Sequence, residues 1–304
     1  MAIPTSRTKQ TGVIHIDEEK CLQCGLCVQI CKDHSLIMKN DRVVQNDQAV
    51  FGCFGCGHCM AICPESAIEI EGREISLADL VKLPEPGDGI TYKDLYQLML
   101  SRRSIRDFKQ KEVEPKLVDL IMDAAQSAPV GLTPSDVHVL VFKGRDKVRE
   151  FAFDAIDQMA KARWLFKVPG LWLWKLAGKE AFELMEGFGG PLIDKLIQYK
   201  KAGEDYLLYN APLVMYFLAS PYSDPIDPVI PATYAMLAAE SLGLGSCMIG
   251  SIHPLIRHGT KSFKQRWAIP PKSTNGLVVI FGYPKYRFHK ALKRSFAGVT
   301  IYEN

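Results

Sequence analysis

Cysteine placement dominates the chemistry this sequence could perform. Cys53, Cys56, Cys59 and Cys63 fall at spacings of three, three and four, with Pro64 directly behind. Cys21, Cys24, Cys27 and Cys31 repeat that spacing 32 positions earlier, so the front of the chain is an internal duplication. Three thiolates three apart on a tight loop can converge on one four-iron cube, while the fourth opens the next segment and reaches a second cube. The pattern assigns Cys21, Cys24, Cys27 and Cys63 to one [4Fe-4S] cluster, and Cys53, Cys56, Cys59 and Cys31 to another. Two other uses of cysteine compete. Zinc sites take paired CxxC halves, and four cysteines per run is one too many for a ribbon knuckle. A disulfide framework needs a secreted context, and the N-terminal MAIPTSRTKQ lacks the apolar stretch of a signal peptide.

A second concentration of chemistry is SRRSIRDF, residues 101–108, where Arg102, Arg103, Ser104 and Arg106 put three guanidinium groups and a hydroxyl within five positions. Guanidinium groups pair bidentately with phosphate, so the cluster suits a phosphorylated cofactor; a solvated helix end would look the same by charge alone. Three further stretches stand out in order: APVGLTPSDV at 128–137, GLGSCMIG at 243–250 and GYPKYRFHKALKRS at 282–295. No strict GxGxxG occurs, since Met248 follows the Gly243–Gly245 spacing, so a Rossmann nicotinamide module is not indicated.

These four stretches together resemble the nitroreductase family of flavin enzymes, over roughly residues 92–304. With the cysteine-rich front, the whole chain resembles a bacterial-type two-cluster ferredoxin fused to a nitroreductase. The resemblance implies an α+β architecture: a small ferredoxin-like iron–sulfur domain, then an FMN-binding domain with a central, mainly antiparallel sheet flanked by helices. It implies FMN at a homodimer interface, with Arg102, Ser104 and Arg106, and Arg103 beside them, at the phosphate and ribityl chain. It places the Pro129–Gly131 loop, with Val130, against the partner's flavin, backbone groups of Gly245, Ser246 and Cys247 near the ring, and Lys293 and Arg294 as a second charge at the phosphate. Thr133, Ser135 and Val137 replace the family loop's Asn, Gln and Trp, and Val130 replaces its Ser, so side-chain contacts from those positions differ here. The implied reaction is electron relay between clusters and FMN, ending on a nitroaromatic, quinone or similar conjugated electrophile. The donor would be NAD(P)H or a ferredoxin. Other outcomes are a specialised reductase acting on carbon–halogen or activated double bonds, and a carrier or redox sensor without a substrate. No protein side chain is required as a catalytic acid or base.

The remaining candidates have plainer readings. Cys247 fits a small packing residue as well as a redox thiol. The cluster of Trp164, Phe166, Trp172 and Trp174 could be a lid, core or dimer packing. His58 and His138 receive no ligand role, and His253 and His258 are proton donors only by their position after the flavin segment.

Certain elements must hold these groups in place. Val13 to Ile16 and Ala67 to Ile70 read as short strands, and Leu36–Met38 and Arg42–Val44 as a hairpin turning at Lys39-Asn40-Asp41. VKLPEPGDGIT, residues 81–91, is a Pro/Gly-rich linker, which gives domains over 1–82 and 92–304 and a linker over 83–91. Helices are expected over Tyr92–Leu100, from Pro115, through most of 147–208, and over Pro231–Leu242; strands over Val137–Phe142, Leu213–Leu218 and Leu277–Phe281. Strands alternating with helices make the body α+β or α/β.

Composition sets the outer bounds. At 304 residues and 47% hydrophobic, the chain is globular and long enough for two domains. A net charge of +3 gives no reason to expect nucleic acid. Residues 1–90 carry 8 Lys/Arg against 13 Asp/Glu, and residues 91–304 carry 29 against 21, so an acidic head precedes a basic body. No apolar run reaches the roughly 18 residues of a membrane span, and the cytoplasm is the expected compartment.

Overall fold

A computed structural model describes residues 11–72, 75–85, 87–129, 131, 136–161, 163–220, 223–252, 256, 258–270 and 275–303. They divide into two compact units. One holds the described residues of Met1–Gly89 with Gly131, Asp136, Ser223 and Asp224; the other holds the rest.

In the first unit, β1 (Val13–Ile16) pairs antiparallel with β4 (Ile68–Glu71), and β2 (Leu36–Lys39) with β3 (Arg42–Gln45). The hairpin turns where expected, because Asn40 and Asp41 both accept the left-handed backbone (φ 50 and 61) that a two-residue turn of this twist requires. Two short helices, α1 (Leu26–Ile30) and α2 (His58–Ile62), each start behind a left-handed glycine, Gly25 (φ 72) and Gly57 (φ 77). The duplication in sequence is thus a duplication in structure: each Cys-x-x-Cys loop ends on the glycine that turns the chain into a helix. At Gly57 a β-carbon would also lie 2.5 Å from Cδ1 of Ile75. Ile14, Leu36, Val43, Met60, Ile68 and Ile70 close a small core around Cys27, Cys53 and Cys59. A core of this size leaves much of the stabilisation to whatever the cysteines bind.

Among the described residues, the second unit is built on four antiparallel strands in the order β5-β6-β8-β7. These are β5 (Val137–Lys143), β6 (Leu213–Ala219), β7 (Gly245–Ile249) and β8 (Asn275–Gly282). The helices are α3 (Tyr92–Ser101), α4 (Pro115–Gln126), α5 (Arg145–Lys161), α6 (Lys179–Leu184), α7 (Gly190–Lys201), α8 (Val229–Ser241) and α9 (Lys261–Arg266). Every residue of β6 is buried, which is why LVMYFLA reads as a continuous apolar run rather than an alternating one. Its Val214, Tyr216 and Leu218 pack with Phe151 and Ile156 of α5 and Leu196 of α7. Its Leu213, Met215 and Phe217 pack with Ile121 of α4 and Ala235 and Met236 of α8. The sheet is therefore covered on both faces, and each large side chain so buried is worth about 1.5–3 kcal/mol relative to exposure.

Local chemistry sets the helix starts. Pro115 opens α4 at a position where its missing N–H costs nothing. Thr91 caps α3 by accepting from the N–H of Asp94 at 3.2 Å. The 147–208 stretch is helical as expected, in α5, α6 and α7 with 3-10 turns at Arg163–Phe166 and Gly170–Ala177 and a π turn at Met185–Gly189. Trp164 and Trp172 are both 60% exposed, so neither is a core residue, while Trp174 donates its indole N–H to the carbonyl of Leu165 at 3.0 Å. GLGSCMIG, for which the sequence carried no strand pattern, contains the edge strand β7.

Candidate functional site

Cys21, Cys24, Cys27 and Cys63 line one cavity, together with Gly25, Val43, Pro64 and Ile68. Three residues of the first run thus meet the last residue of the second, the crossed set expected from spacing. Cys59 lies within electrostatic reach of the thiols of Cys53, Cys56 and Cys31. Burial, then those three thiols, push Cys59 up to about 12, so it ionises only if a cationic centre replaces its proton. Burial likewise raises Cys27, beside Cys21 and Cys24. Backbone N–H groups already point at sulfur: Gly55 at Cys53 (3.4 Å) and Ala67 at Cys63 (3.2 Å). Such hydrogen bonds stabilise anionic sulfur and tune cluster potentials. Cys24 and Cys56 are exposed, giving each set one solvent-facing corner. Among the described residues no three His, Cys, Asp or Glu side chains close on a single ion. Cys21, Cys24, Cys27 and Cys63 line a cavity instead, and four thiols gathered in this way fit a multi-iron cluster.

In the second unit the Arg-rich segment and β7 are joined by backbone. Ser104 and Ser246 form a parallel bridge, and the N–H of Ile105 donates to the carbonyl of Ser246 at 3.0 Å. Gly245 is required by this approach, since a β-carbon there would sit 2.4 Å from Cγ1 of Ile105. Replacing Gly245 with alanine should therefore destabilise the unit by about 1–3 kcal/mol through overpacking. Thermal unfolding would register this as a lowered midpoint; an unchanged midpoint would show that the two segments are not held this close. Ser246 is fully buried, and among the described residues its hydroxyl has no hydrogen-bond partner.

The extended segment splits its side chains between two cavities, because alternate residues face opposite ways. Arg106 lines a cavity of about 330 Å³ with Phe188, Tyr206, Tyr209, Met248, Gly250 and Ser251. Arg103 and Ile105 instead line a cleft of about 640 Å³. Neither Arg102 nor Ser104 is among the lining residues of either cavity.

The 330 Å³ cavity owes its shape to a turn that spacing did not reveal. The buried carboxylate of Asp205 accepts the N–H groups of Leu207 (3.0 Å), Leu208 (2.8 Å) and Asn210 (3.2 Å). Burial raises it to about 6 despite those hydrogen bonds and the nearby Arg149 guanidinium. The turn holds Tyr209 and Asn210 consecutively in the left-handed region (φ 57 and 51), with the Arg149 guanidinium donating to Oδ1 of Asn210 at 3.0 Å. Backbone strain of this kind persists only where surrounding contacts over-determine it. Here it delivers the ring of Tyr209 to within 5.8 Å of the Arg106 guanidinium.

Cys247 is buried in the core with its thiol toward the carbonyl of Met248 at 3.4 Å, the position of a packing residue. Lys293 and Arg294 lie exposed in a tail without regular structure. Pro129 and Gly131 are exposed; Val130, Thr133 and Ser135, like His253, lie outside the described residues. His58, His138 and His258 are exposed. Of the residues missed, Met248 and Gly250 belong to a motif already singled out, whereas Tyr206 and Tyr209 carry no sequence signal apart from Asp205.

Among the described residues, a four-stranded antiparallel sheet covered by helices, with the Arg-rich segment bridged to its edge strand, frames the second unit. Residues 99–283 match the nitroreductase family and residues 14–70 match the 4Fe-4S dicluster domain; the chain belongs to the nitroreductase family and carries that iron–sulfur domain at its front. It is a flavin oxidoreductase of that family. Among solved structures it is similar to a nitroreductase with bound FMN from Desulfitobacterium hafniense DCB-2, at 20% identity over 69% of this chain and 98% of that one, with a TM-score of 0.50. That likeness speaks to the fold alone. A nitroreductase with bound FMN from Bacteroides fragilis NCTC 9343 gives 18% identity, 69% and 99% coverage and a TM-score of 0.48. No curated protein matches the chain. No helix among the described residues is long and apolar enough to cross a membrane.

Proposed function

We propose that this protein relays electrons between two [4Fe-4S] clusters and FMN and delivers them to a nitroaromatic, quinone or similarly conjugated small molecule. The observation that carries the reading is the meeting of the Arg102–Arg106 segment with β7 beside a cavity lined by Arg106, Tyr209 and Gly250. It stands in a chain whose front unit brings the crossed cysteine sets together. When bound, FMN supplies two-electron hydride chemistry and the clusters supply one-electron steps. The protein's own part is binding and shielding. Arg102 and Ser104 hold the phosphate, and Arg106 stands at the pocket rim. Backbone groups of Gly245 to Ser251 face the ring, and Tyr206, Tyr209 and Phe188 exclude water from it. Cys21, Cys24, Cys27 and Cys63 hold one cluster, and Cys53, Cys56, Cys59 and Cys31 the other.

The working form is a homodimer, with the Pro129–Gly131 loop of each protomer completing the partner's pocket. Lys293 and Arg294 add a second positive charge at the phosphate. The ferredoxin-like domain takes residues 1–82, the linker 83–91 and the flavin domain 92–304, and the cytoplasm is the compartment. Electrons enter from NAD(P)H or a ferredoxin. Mixing the reduced holoprotein anaerobically with a nitroaromatic, a quinone, an aryl halide and an enone tests the acceptor class. Flavin absorbance should recover at least about tenfold faster with the first two. Recovery no faster with any acceptor than with buffer would contradict the proposal and favour a carrier without a substrate.

A further inference from the structure

The turn before β6 is held against the preference of its own backbone. Tyr209 and Asn210 are consecutive left-handed residues (φ 57 and 51), and a bulky tyrosine in that region is an outlier. Two arrangements fix it there. The buried Asp205 carboxylate gathers the N–H groups of Leu207, Leu208 and Asn210, and the Arg149 guanidinium donates to the side chain of Asn210. Strain retained by so many contacts is characteristic of functional sites. What this turn delivers to the Arg106 cavity is a phenol.

The other proton-bearing side chains of the cavity are poorly suited to give a proton away. Arg106 stays charged, Ser251 carries an aliphatic hydroxyl, a far weaker acid than a phenol, and Tyr206 turns its oxygen to the exposed Lys195, which donates to it at 2.8 Å. The Tyr209 hydroxyl, by contrast, makes no hydrogen bond among the described residues. Its ring lies 5.8 Å from the Arg106 guanidinium. Burial raises this hydroxyl above the ordinary tyrosine range, so it keeps its proton at neutral pH. Arg106 opposes that shift and favours the tyrosinate left once the proton has gone.

We propose that Tyr209 is the proton donor to the acceptor reduced in this cavity. The inference deepens the proposed electron relay and rests on the acceptor being reduced there. A quinone or nitro compound that takes up a hydride gains two electrons, and the charge falls on oxygen. The O–H bond of Tyr209 breaks as an O–H bond forms on that oxygen, and the tyrosinate recovers its proton from water when product leaves. Acid assistance of this kind contributes about 10²–10⁴-fold in rate.

Replacing Tyr209→Phe keeps the ring and removes only the hydroxyl, so the holoprotein should retain the parent's flavin content. Two measurements on it test the assignment. The first titrates para-nitrophenolate, a stable oxyanion, into the oxidised holoprotein and follows its absorbance; the variant should bind it at least about tenfold more weakly. The second follows reoxidation of the reduced flavin by a quinone in stopped flow, which should slow at least about tenfold. No saturable binding of nitrophenolate to the parent, equal affinity in the flavin-loaded variant, or reoxidation at the parent rate would each overturn the proposal. Loss of flavin from the variant would make the hydroxyl a flavin contact instead and would likewise overturn it. A parent protein that passes electrons to no acceptor defeats the relay on its own account, and the nitrophenolate titration then still decides whether this hydroxyl meets an anion in the cavity.

Discussion

Replacing Cys63 with alanine is expected to empty the cluster held by Cys21, Cys24 and Cys27, lowering iron from about eight atoms per chain to about four. The cause is the crossed arrangement, in which Cys63 closes a cavity with the first cysteine run although it belongs to the second. Pairs of substitutions make the test sharp. Cys63→Ala with Cys21→Ala strikes the same cluster twice and should still leave about four iron atoms, whereas Cys63→Ala with Cys53→Ala strikes both and should leave almost none. Iron and acid-labile sulfide analysis after anaerobic purification reads the result. The reverse pattern would mean that each run holds its own cluster. The front unit should also lose thermal stability with each cluster, because its apolar core is small and metal binding there contributes to folding.

Replacing Arg102 and Ser104 together with alanine should release most of the flavin while leaving the cluster absorbance intact. Hydrogen bonds to a charged group are worth about 1.5–3 kcal/mol each, so losing two weakens binding by about a hundred-fold or more. Flavin retained through desalting, measured by absorbance and by fluorescence after denaturation, should fall below about a tenth of the parent's. Full retention would contradict the phosphate assignment. The clusters act as an internal control, since Ser104 bridges to β7 in the second unit while the cluster cysteines belong to the first.

The part of this account that was legible in sequence is the part fixed by covalent spacing. Cysteine runs specify their loops because the thiolates and the left-handed Gly25 and Gly57 must fall where they do. The hairpin at Asn40-Asp41 and the proline at the head of α4 were legible for the same local reason. The arginine cluster was visible as charge, but its division between two cavities depends on extended backbone at Ser104 pairing with Ser246, a contact 142 positions distant in sequence. Strand β7 was hidden because glycine, serine and cysteine have little strand preference of their own; pairing with β8 imposes it. The tyrosine turn was invisible because its cause, three N–H groups gathered by one buried carboxylate, leaves no periodic trace.

The central claim is that cysteine-held iron and the flavin form one electron-transfer unit. Stopped-flow mixing of fully reduced holoprotein with a nitroaromatic, following cluster and flavin bands in the same trace, tests it most directly. The account predicts that cluster absorbance recovers along with the flavin, and that this coupled recovery is lost in the Arg102→Ala/Ser104→Ala protein. Clusters that stay reduced while the flavin reoxidises, or that reoxidise at an unchanged rate once the flavin is gone, would contradict it.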